Sequence, residues 1–348
     1  MKSAGRSRGI WKAGGLAAVL CLLGLVALAI PLLGPLQTLA SFHKVDEYPL
    51  YVMRYHGGYL FDHYLQQGIE KGFYGAIYQR LYRANYPQGC TVFVALNPQG
   101  EVLFGRNFDW RHRASLLLFT DPPGGYASVS MVDIHYFGFG KEKPSWVDRL
   151  SLLATPYATV DGMNEHGLAV AELAVPGTGC KVAPPDPEKA TILSAHVMRL
   201  VLDHAANVAE ALDLIEKYNV HFPDPCTHHL LADAAGNSAI VEYVGGRVVV
   251  TRNAEPWQVA TNFLACGEGP RGDEEAYQRY EVAYGALQEA GGIISEAEAL
   301  EIARQTSKEN TVWSALYNLT TGEVHLALGR QYDQVYRFNL PLNRQAAR

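Results

Sequence analysis

The stretch that most constrains this chain, residues 89–110, has the pattern of a β-hairpin. Two apolar runs flank the sequence Asn-Pro-Gln-Gly at 97–100, in which proline and glycine favour a tight turn. Pairing of the two runs places Cys90 at the open end of one strand and returns Arg106 and Asp109 to roughly the same end. The hairpin therefore predicts that a thiol, a guanidinium and a carboxylate lie close together.

This grouping suits a nucleophile at the start of a cleaved chain. A thiol of pKa ~8.5 is mostly protonated at neutral pH, and an α-amine of pKa ~7.7–8.0 is a base of almost matching strength. If the bond between Gly89 and Cys90 is cut, Cys90 carries both groups. Asp109 could then hold the ammonium, and Arg106 could lower the pKa of the thiol. The alternative is a small buried cysteine in a core strand beside a surface ion pair.

Several further segments support the first interpretation by their order in the chain. Together with Cys90 they resemble the N-terminal-nucleophile (Ntn) linear amide hydrolases, a superfamily of choloylglycine hydrolases, penicillin acyltransferases and acid-ceramidase-like amidases. The resemblance covers about residues 90–325. The segments that carry it are Gly105–Trp110, Asp161–Leu168, Ala260–Phe263, Gln278–Tyr280 and Asn310–Ser314.

The resemblance implies a role for each of five residues. Cys90 matches the nucleophile and, through its freed α-amine, the general base. Arg106 and Asp109 match the orienting and amine-binding positions. Asn262 matches the asparagine whose amide stabilises the oxyanion, and Arg279 matches a second arginine of the site. Taken singly, Asn262 equally suits the end of a strand, and Arg279 a solvated helix face.

The sequence departs from the choloylglycine hydrolase pattern at one position. In those enzymes a second asparagine follows the Met-Asn-Glu-x-Gly-Leu turn at a fixed interval, and here that position is Ala174. The chain therefore lacks one side-chain donor of the bile-salt-hydrolase pattern. This favours the acyltransferase and acid-ceramidase-like branch, where we expect a backbone N–H to serve instead.

The activity implied by the resemblance is hydrolysis of the linear carbon–nitrogen amide bond of a small N-acyl compound, through a thioester on Cys90 of an autoprocessed chain. Two alternatives stay open. An acyltransferase would pass the acyl group to an amine rather than to water, and a surface binding protein would keep the fold but never be cleaved. A papain-like protease is disfavoured, because neither its cysteine context nor a matching histidine context is present.

Residues 1–40 have the features of a signal anchor or signal peptide. Basic residues precede an apolar stretch over 13–33, which at about twenty residues is long enough to span a bilayer. We favour an uncleaved anchor, although 38–41 offers a loosely small-residue cleavage context. Either alternative predicts an exported protein, at the outer face of the cell membrane or secreted, with residues from about 41 onward outside.

Residues 41–89 form a Tyr-rich pro-segment. Tyr74, Tyr78 and Tyr82 recur every four positions, which predicts one face of a helix from about Asp62 to Tyr86. We expect this stripe to pack on the catalytic domain, so that the cleaved pro-segment remains a partner of it. The alternative is that the stripe lines the substrate cleft.

Residues 90–348 make up the predicted catalytic domain. Strand-like runs alternate in blocks with helical patterns over 191–219, 274–289 and 295–305, which indicates an α+β fold with antiparallel sheets covered by helices. We expect Asn207 to cap the second of two helices in the first of these segments. The resemblance implies the four-layer αββα sandwich of Ntn hydrolases.

The sequence predicts neither a cofactor nor a nucleic-acid partner. The formal net charge of −6 gives no reason to expect nucleic acid. His228 and His229 point to opposite faces of an extended segment, which disfavours a zinc site. Cys180, Cys226 and Cys266 lie in an exported region and allow one disulfide, with three possible pairings.

Overall fold

The computed structural model describes residues 33–69, 89–111, 114–140, 145–175, 184–222, 226–266 and 274–343. Within these ranges the strands are β1 (His43–Asp46), β2 (Leu50–Arg54), β3 (Gly89–Leu96), β4 (Val102–Asp109), β5 (Ser115–Thr120), β6 (Ser128–Asp133), β7 (Thr159–Asn164), β8 (Ala169–Val175), β9 (Thr191–Leu193), β10 (Asn219–His221), β11 (Cys226–Ala232), β12 (Ser238–Val244), β13 (Arg247–Arg252), β14 (Gln258–Ala260), β15 (Thr311–Asn318), β16 (Glu323–Leu328) and β17 (Val335–Asn339). The helices are α1 (Phe61–Gln67), α2 (Trp146–Ser151), α3 (Ser194–His204), α4 (Val208–Ile215), α5 (Glu274–Glu289) and α6 (Glu296–Gln305), with 3₁₀ turns at Ile134–Phe137 and Leu152–Ala158. Residues 33–41 are also helical.

The strands build two large sheets that pack face to face. One sheet has nine strands in the order β1-β2-β5-β6-β7-β8-β11-β12-β13, and the other has six in the order β14-β3-β4-β15-β16-β17. All neighbouring pairs in the two sheets are antiparallel except β2 with β5. A continuous core between the sheets combines Val92 and Phe104 of the smaller sheet with Met131, Ala171 and Ile240 of the larger one.

Helices cover the outer face of each sheet. The apolar faces of α3 and α4 join Val170 and Val241 of the larger sheet in one cluster. Residues of α5 and α6 join Phe93 and Leu103 of the smaller sheet in another. Burial on both faces explains the near-continuous apolar run of β3, whereas β4 is buried throughout but also carries the polar residues Arg106, Asn107 and Asp109. The layer order is helix, sheet, sheet, helix, so the predicted αββα arrangement of an α+β fold is confirmed.

The segment preceding Cys90 is built into this sandwich. β1 and β2 lie at one edge of the nine-stranded sheet, where β2 runs parallel to β5. The sequence pattern did not predict these two strands. The predicted helix beginning near Asp62 has its first turns in α1, which ends at Gln67 before Gly68, whose φ is 70°. The rest of its predicted range lies outside the described residues. The stripe of Tyr74, Tyr78 and Tyr82 lies outside the described residues.

The predicted membrane anchor falls almost entirely on residues 1–32, which also lie outside the described residues. Within the described ranges, none of the helices combines the length and the apolar character needed to cross a bilayer.

Several local predictions are confirmed at residue level. Helix α5 has the predicted bounds, and α6 begins one residue after the predicted start, with Ser295 as its N-cap in a capping box. Asn207 caps α4, and its side-chain oxygen accepts a hydrogen bond from the backbone of Glu210 at 3.0 Å.

Two of the three disulfide pairings that the sequence left open are excluded. Cys226 is disulfide-bonded. Cys266 carries a thiol rather than half of a disulfide, as does Cys90. Both pairings that involve Cys266 are therefore wrong.

Candidate active site

The β3–β4 hairpin places the predicted residues on two faces of one sheet. Cys90 pairs with Phe108 and Gly89 pairs with Asp109 in the antiparallel register. Directly paired residues share a face, and successive residues alternate between faces. Cys90 and Phe108 lie in the core between the sheets, and Arg106 shares this side. Asp109 therefore faces the helical layer. The hairpin brings these groups to one strand end, as predicted, but Asp109 lies on the opposite face of the sheet from Cys90 and Arg106.

Two side chains from distant segments hold the main chain of Cys90. The backbone N–H of Cys90 donates to Asn262 Oδ1 at 2.6 Å, and its carbonyl accepts from Arg279 Nη1 at 2.6 Å. Arg279 Nη2 also donates to Asn262 Oδ1 at 2.8 Å. Both residues are buried. The backbone nitrogen and carbonyl on either side of the Cα of Cys90 are thus fixed from the helical side.

The amide of Asn262 has one orientation that satisfies all its neighbours. Its oxygen accepts from two donors, while Nδ2 donates to the carbonyl of Ala174 at 2.8 Å. An amide nitrogen carries two hydrogens, so one remains to donate elsewhere. Asn262 therefore reaches both the nitrogen of Cys90 and the strand that carries Ala174.

Asp109 is a buried carboxyl beside Gly89. Its Oδ1 accepts from Thr311 Oγ1 at 2.5 Å, and its Oδ2 lies 3.8 Å from Arg279 Nη1 without a hydrogen bond. Burial raises the pKa of Asp109 above its ordinary value, and Arg279 and Thr311 oppose this rise. The free Oδ2 has the capacity to accept from a newly formed amine.

Arg106 is fully buried and has an unusual environment. Its Nε lies 3.4 Å from Asp161 Oδ2, but none of its three nitrogens has a hydrogen-bond partner among the residues that the structure describes. Asp161 is itself fixed by Tyr317 Oη at 2.6 Å and Trp313 Nε1 at 3.1 Å. The guanidinium is thus anchored by an ion pair, with donors left for another acceptor.

The Cys90 thiol is held in its protonated form by its surroundings. Burial raises its pKa, and Asp109 adds to this, whereas Arg106, Arg279 and a backbone hydrogen bond from Ala174 oppose it. This contact places the backbone of Ala174 at the sulfur, where the sequence predicted a backbone N–H in place of the missing asparagine. A buried thiol of raised pKa needs a base before it can act as a nucleophile.

Cys90 opens onto a cavity of about 80 Å³ between the sheets. Its walls are mainly apolar and include Phe108, Trp110 and Tyr136. Glu172 and Ala174 of β8 and Asp133 of β6 also line this cavity. The Cys90 sulfur therefore faces a narrow, mainly apolar space with three aromatic side chains in its wall.

The loop that carries Asn262 is tied to the larger sheet. His228 Nε2 lies 2.9 Å from the carbonyl of Thr261, and His228 Nδ1 lies 3.2 Å from Glu242 Oε1. Glu242 also accepts the backbone N–H groups of Ala265 and Cys266 at 2.7 and 2.8 Å. His229 points the other way, with Nε2 3.2 Å from the carbonyl of Ser194, so the predicted opposite facing of the two histidines is confirmed.

All five predicted site residues lie in one connected region around Cys90. Sequence reasoning missed three supporting residues: Thr311 on Asp109, Asp161 on Arg106, and Glu172 in the cavity. Thr311 and Asp161 lie inside the motifs noted above, but nothing in those motifs indicates which side chain they contact. A signal for Glu172 was available, because it is a single carboxylate in the otherwise apolar run of β8.

The sequence matches a family model described as linear amide C-N hydrolases, choloylglycine hydrolase family, over residues 90–263, which is half of the chain. Penicillin V acylase of Pectobacterium atrosepticum is 29% identical over 192 residues, which cover 50% of this chain and 49% of that protein. The chain thus spans about half the length of this curated relative.

Two solved structures share the fold. A mutant of the conjugated bile acid hydrolase from Clostridium perfringens superposes with a TM-score of 0.54 at 17% identity, covering 72% of this chain and 92% of that one. Penicillin V acylase from Agrobacterium tumefaciens gives a TM-score of 0.54 at 20% identity, covering 74% of this chain and 89% of that one.

Proposed function

Since the chain belongs to the choloylglycine hydrolase family of linear amide C–N hydrolases, we propose that it is a cysteine amidase that cuts its own Gly89–Cys90 bond and then hydrolyses a small N-acyl amide. The observation that carries this proposal is the double anchoring of Cys90. Asn262 holds its nitrogen and Arg279 its carbonyl, while the sulfur faces a cavity.

Maturation proceeds by attack of the Cys90 sulfur on the carbonyl carbon of Gly89. The carbon–nitrogen bond breaks, a thioester forms between Gly89 and the sulfur, and the α-amine of Cys90 takes up the thiol proton. Water then hydrolyses the thioester and releases the carboxylate of Gly89. The freed amine remains at Asn262 Oδ1, within reach of the accepting Oδ2 of Asp109.

Turnover of substrate repeats this chemistry with an external amide. The α-amine removes the thiol proton, and the thiolate adds to the substrate carbonyl. The remaining Nδ2 hydrogen of Asn262 and the backbone N–H of Ala174 are the donors for the oxyanion. The α-ammonium of Cys90 protonates the leaving amine and becomes an amine again. This α-amine then deprotonates a water molecule, which hydrolyses the thioester.

Electrostatics assign supporting roles to the two arginines. Arg106 stabilises a negative charge on the Cys90 sulfur, because the positive charge of its guanidinium lowers the thiol pKa that burial raises. Arg279 fixes the main chain of Cys90 and lies near Asp109. We therefore propose that Arg106 acts on the thiolate and Arg279 on the alignment of the nucleophile.

The proposed setting is outside the cytoplasm. The apolar stretch over 13–33, preceded by basic residues, favours export with the catalytic domain at the outer membrane face or secreted. Separation of membranes from the soluble fraction, followed by protease treatment of intact cells, tests this. Protection of the catalytic domain in intact cells would contradict it.

The intact mass and the N-terminal sequence of the purified protein test the proposed function. We expect a catalytic fragment that begins at Cys90 and hydrolyses a chromogenic N-acyl amide. Cys90→Ala should remain a single uncut chain without activity, whereas Cys90→Ser retains a weaker nucleophile and serves as the matched control for folding and slow cleavage. A fully active enzyme whose Gly89–Cys90 bond is intact would refute the mechanism.

A further inference from the structure

In the part of the chain that the structure describes, two carboxyl residues that the proposed mechanism does not use line the cavity beside Cys90, Asp133 and Glu172. Asp133 caps a 3₁₀ turn, where its Oδ1 accepts from the backbone N–H of His135 at 2.9 Å, so Glu172 is the candidate for contact with a ligand. Glu172 lies on β8, two residues before Ala174, and lines the same cavity as the sulfur. Its side chain is 15% exposed, whereas the other residues of this strand are buried. Within the described residues of β8, Glu172 is therefore the residue that keeps exposed side-chain surface while lining the cavity.

Glu172 is held in place by neutral groups. Its Oε1 accepts from Thr227 Oγ1 at 2.8 Å and from Ser194 Oγ at 3.1 Å. The nearest ring nitrogen, His229 Nε2, lies 4.0 Å away, and burial lowers the pKa of His229 to about 3, so this ring is neutral. In the ranges that the structure describes, no Lys or Arg nitrogen lies within 4.0 Å of Glu172. The carboxyl is thus oriented without an ion pair in contact, and among the described residues the only cation that favours its ionised form is the more distant guanidinium of Arg106.

Ionisation of the buried Glu172 carboxyl costs free energy when no ligand is bound. Burial raises the pKa of Glu172, and its two hydrogen bonds from hydroxyl groups and the charge of Arg106 offset only part of the hydration that the ionised carboxylate loses. A ligand that brings a positive charge would remove this cost. Phe108, Trp110 and Tyr136 in the cavity wall also favour a cationic ligand, since aromatic faces attract cations.

We propose that Glu172 determines specificity by selecting N-acyl amides whose acyl group carries a protonated amine. This inference rests on the proposed function and names the substrate class for the same site. The apolar walls suit the methylene groups of an acyl chain, and its terminal ammonium would donate to Glu172. The acyl half is favoured over the leaving amine, because it alone stays bound to Cys90 through both chemical steps.

A matched pair of substrates tests the proposal on the cleaved wild-type enzyme. δ-Aminovaleryl p-nitroanilide and hexanoyl p-nitroanilide differ only by a terminal ammonium in place of a methyl group. We expect a higher kcat/KM for the aminovaleryl compound. Glu172→Gln keeps an acceptor oxygen for Thr227 and Ser194 but cannot ionise. It should reduce the ratio of the two kcat/KM values by about 10- to 100-fold, as expected for loss of one charge-assisted hydrogen bond.

Glu289→Gln is the control, because it removes the same charge from an exposed position on α5 that does not line the cavity. This variant should keep the wild-type ratio. The assignment of Glu172 would be overturned if the wild-type enzyme preferred the hexanoyl compound, or if Glu172→Gln kept the wild-type ratio of the two kcat/KM values. Either result would leave the proposed function intact. Failure of the cleaved enzyme to hydrolyse either compound would contradict both. The comparison of the two substrates on the wild-type enzyme needs no variant, so it tests the preference for a charged acyl group even if Glu172→Gln misfolds.

Discussion

Gly89 packs directly against Asp109, so closely that a Cβ on residue 89 would stand 2.6 Å from Oδ2 of that carboxyl and 2.7 Å from the side chain of Lys308. Only glycine fits this approach without displacing its neighbours. The residue before the proposed cleavage point is thus selected by contact with the group proposed to receive the new amine.

Substitution of this glycine should therefore impair maturation. Gly89→Ala forces the strand end away from Asp109, and overpacking of this kind costs about 1–3 kcal/mol. We expect self-cleavage to slow roughly tenfold or more, measured as the appearance of two bands on a denaturing gel. Gly285→Ala is the control, since a Cβ there meets open space on α5. Normal cleavage in Gly89→Ala would show that this contact is unimportant.

Asn262 can be tested separately as a donor and as an acceptor. Asn262→Ala removes both functions, and we expect kcat to fall by about 10²–10³-fold with little change in KM. Asn262→Asp keeps the oxygen that accepts from Cys90 and Arg279 but loses the amide hydrogens. If donation to the oxyanion matters, the kcat of cleaved Asn262→Asp in steady-state kinetics should fall nearly as far as that of Asn262→Ala. A kcat within a few-fold of wild type in either variant would assign the oxyanion to another donor.

The hydroxyl of Thr311 should set the acidic limit of activity. It donates to Asp109 and opposes the rise in that residue's pKa caused by burial. Thr311→Val removes this bond, so the pKa of Asp109 rises further, and the acidic limb of the kcat/KM profile should move to higher pH. Thr311→Ser, which keeps the hydroxyl, should not move it. An unshifted limb in Thr311→Val would mean that Asp109 does not need to be ionised.

Glu172 should reduce stability as pH rises. Burial raises its pKa above the ordinary value of 4.5, so the folded protein binds more protons than the unfolded chain between those two pKa values. The free energy of unfolding then falls with increasing pH across this window. Glutamine does not titrate. In the uncut Cys90→Ala background, urea denaturation should show Glu172→Gln gaining stability over its parent as pH rises from about 4.5. Parallel stability curves would contradict the assigned burial cost.

The two fragments of the cleaved protein should stay together. β2 pairs with β5, and Leu50, Met53 and Tyr64 have no exposed surface. Each buried side chain of this size contributes about 1.5–3 kcal/mol. Size exclusion without denaturant should give one peak containing both fragments, which a denaturing gel then separates. Two separate native peaks would show that the strand pairing does not survive cleavage.

The sequence alone determined the features that depend on neighbours in the chain. The hairpin at Cys90 follows from two apolar runs and the Asn-Pro-Gln-Gly turn between them, and α6 follows from its periodicity and the Ser295 cap. These elements obey short-range geometry, so their bounds can be predicted from local composition. The order of the motifs supplied the five site residues through resemblance, without indicating which atoms they contact.

Only the tertiary structure decided how these elements meet. Asn262 and Arg279 reach Cys90 across 172 and 189 positions, and no local pattern encodes which of their atoms face its nitrogen and carbonyl. β2 joins the sheet through parallel pairing with a distant strand, which short apolar runs do not specify. The position of Glu172 in the cavity depends on packing of two sheets. Contacts of this kind arise from the global fold, because they form only where separate segments exclude water from the same space.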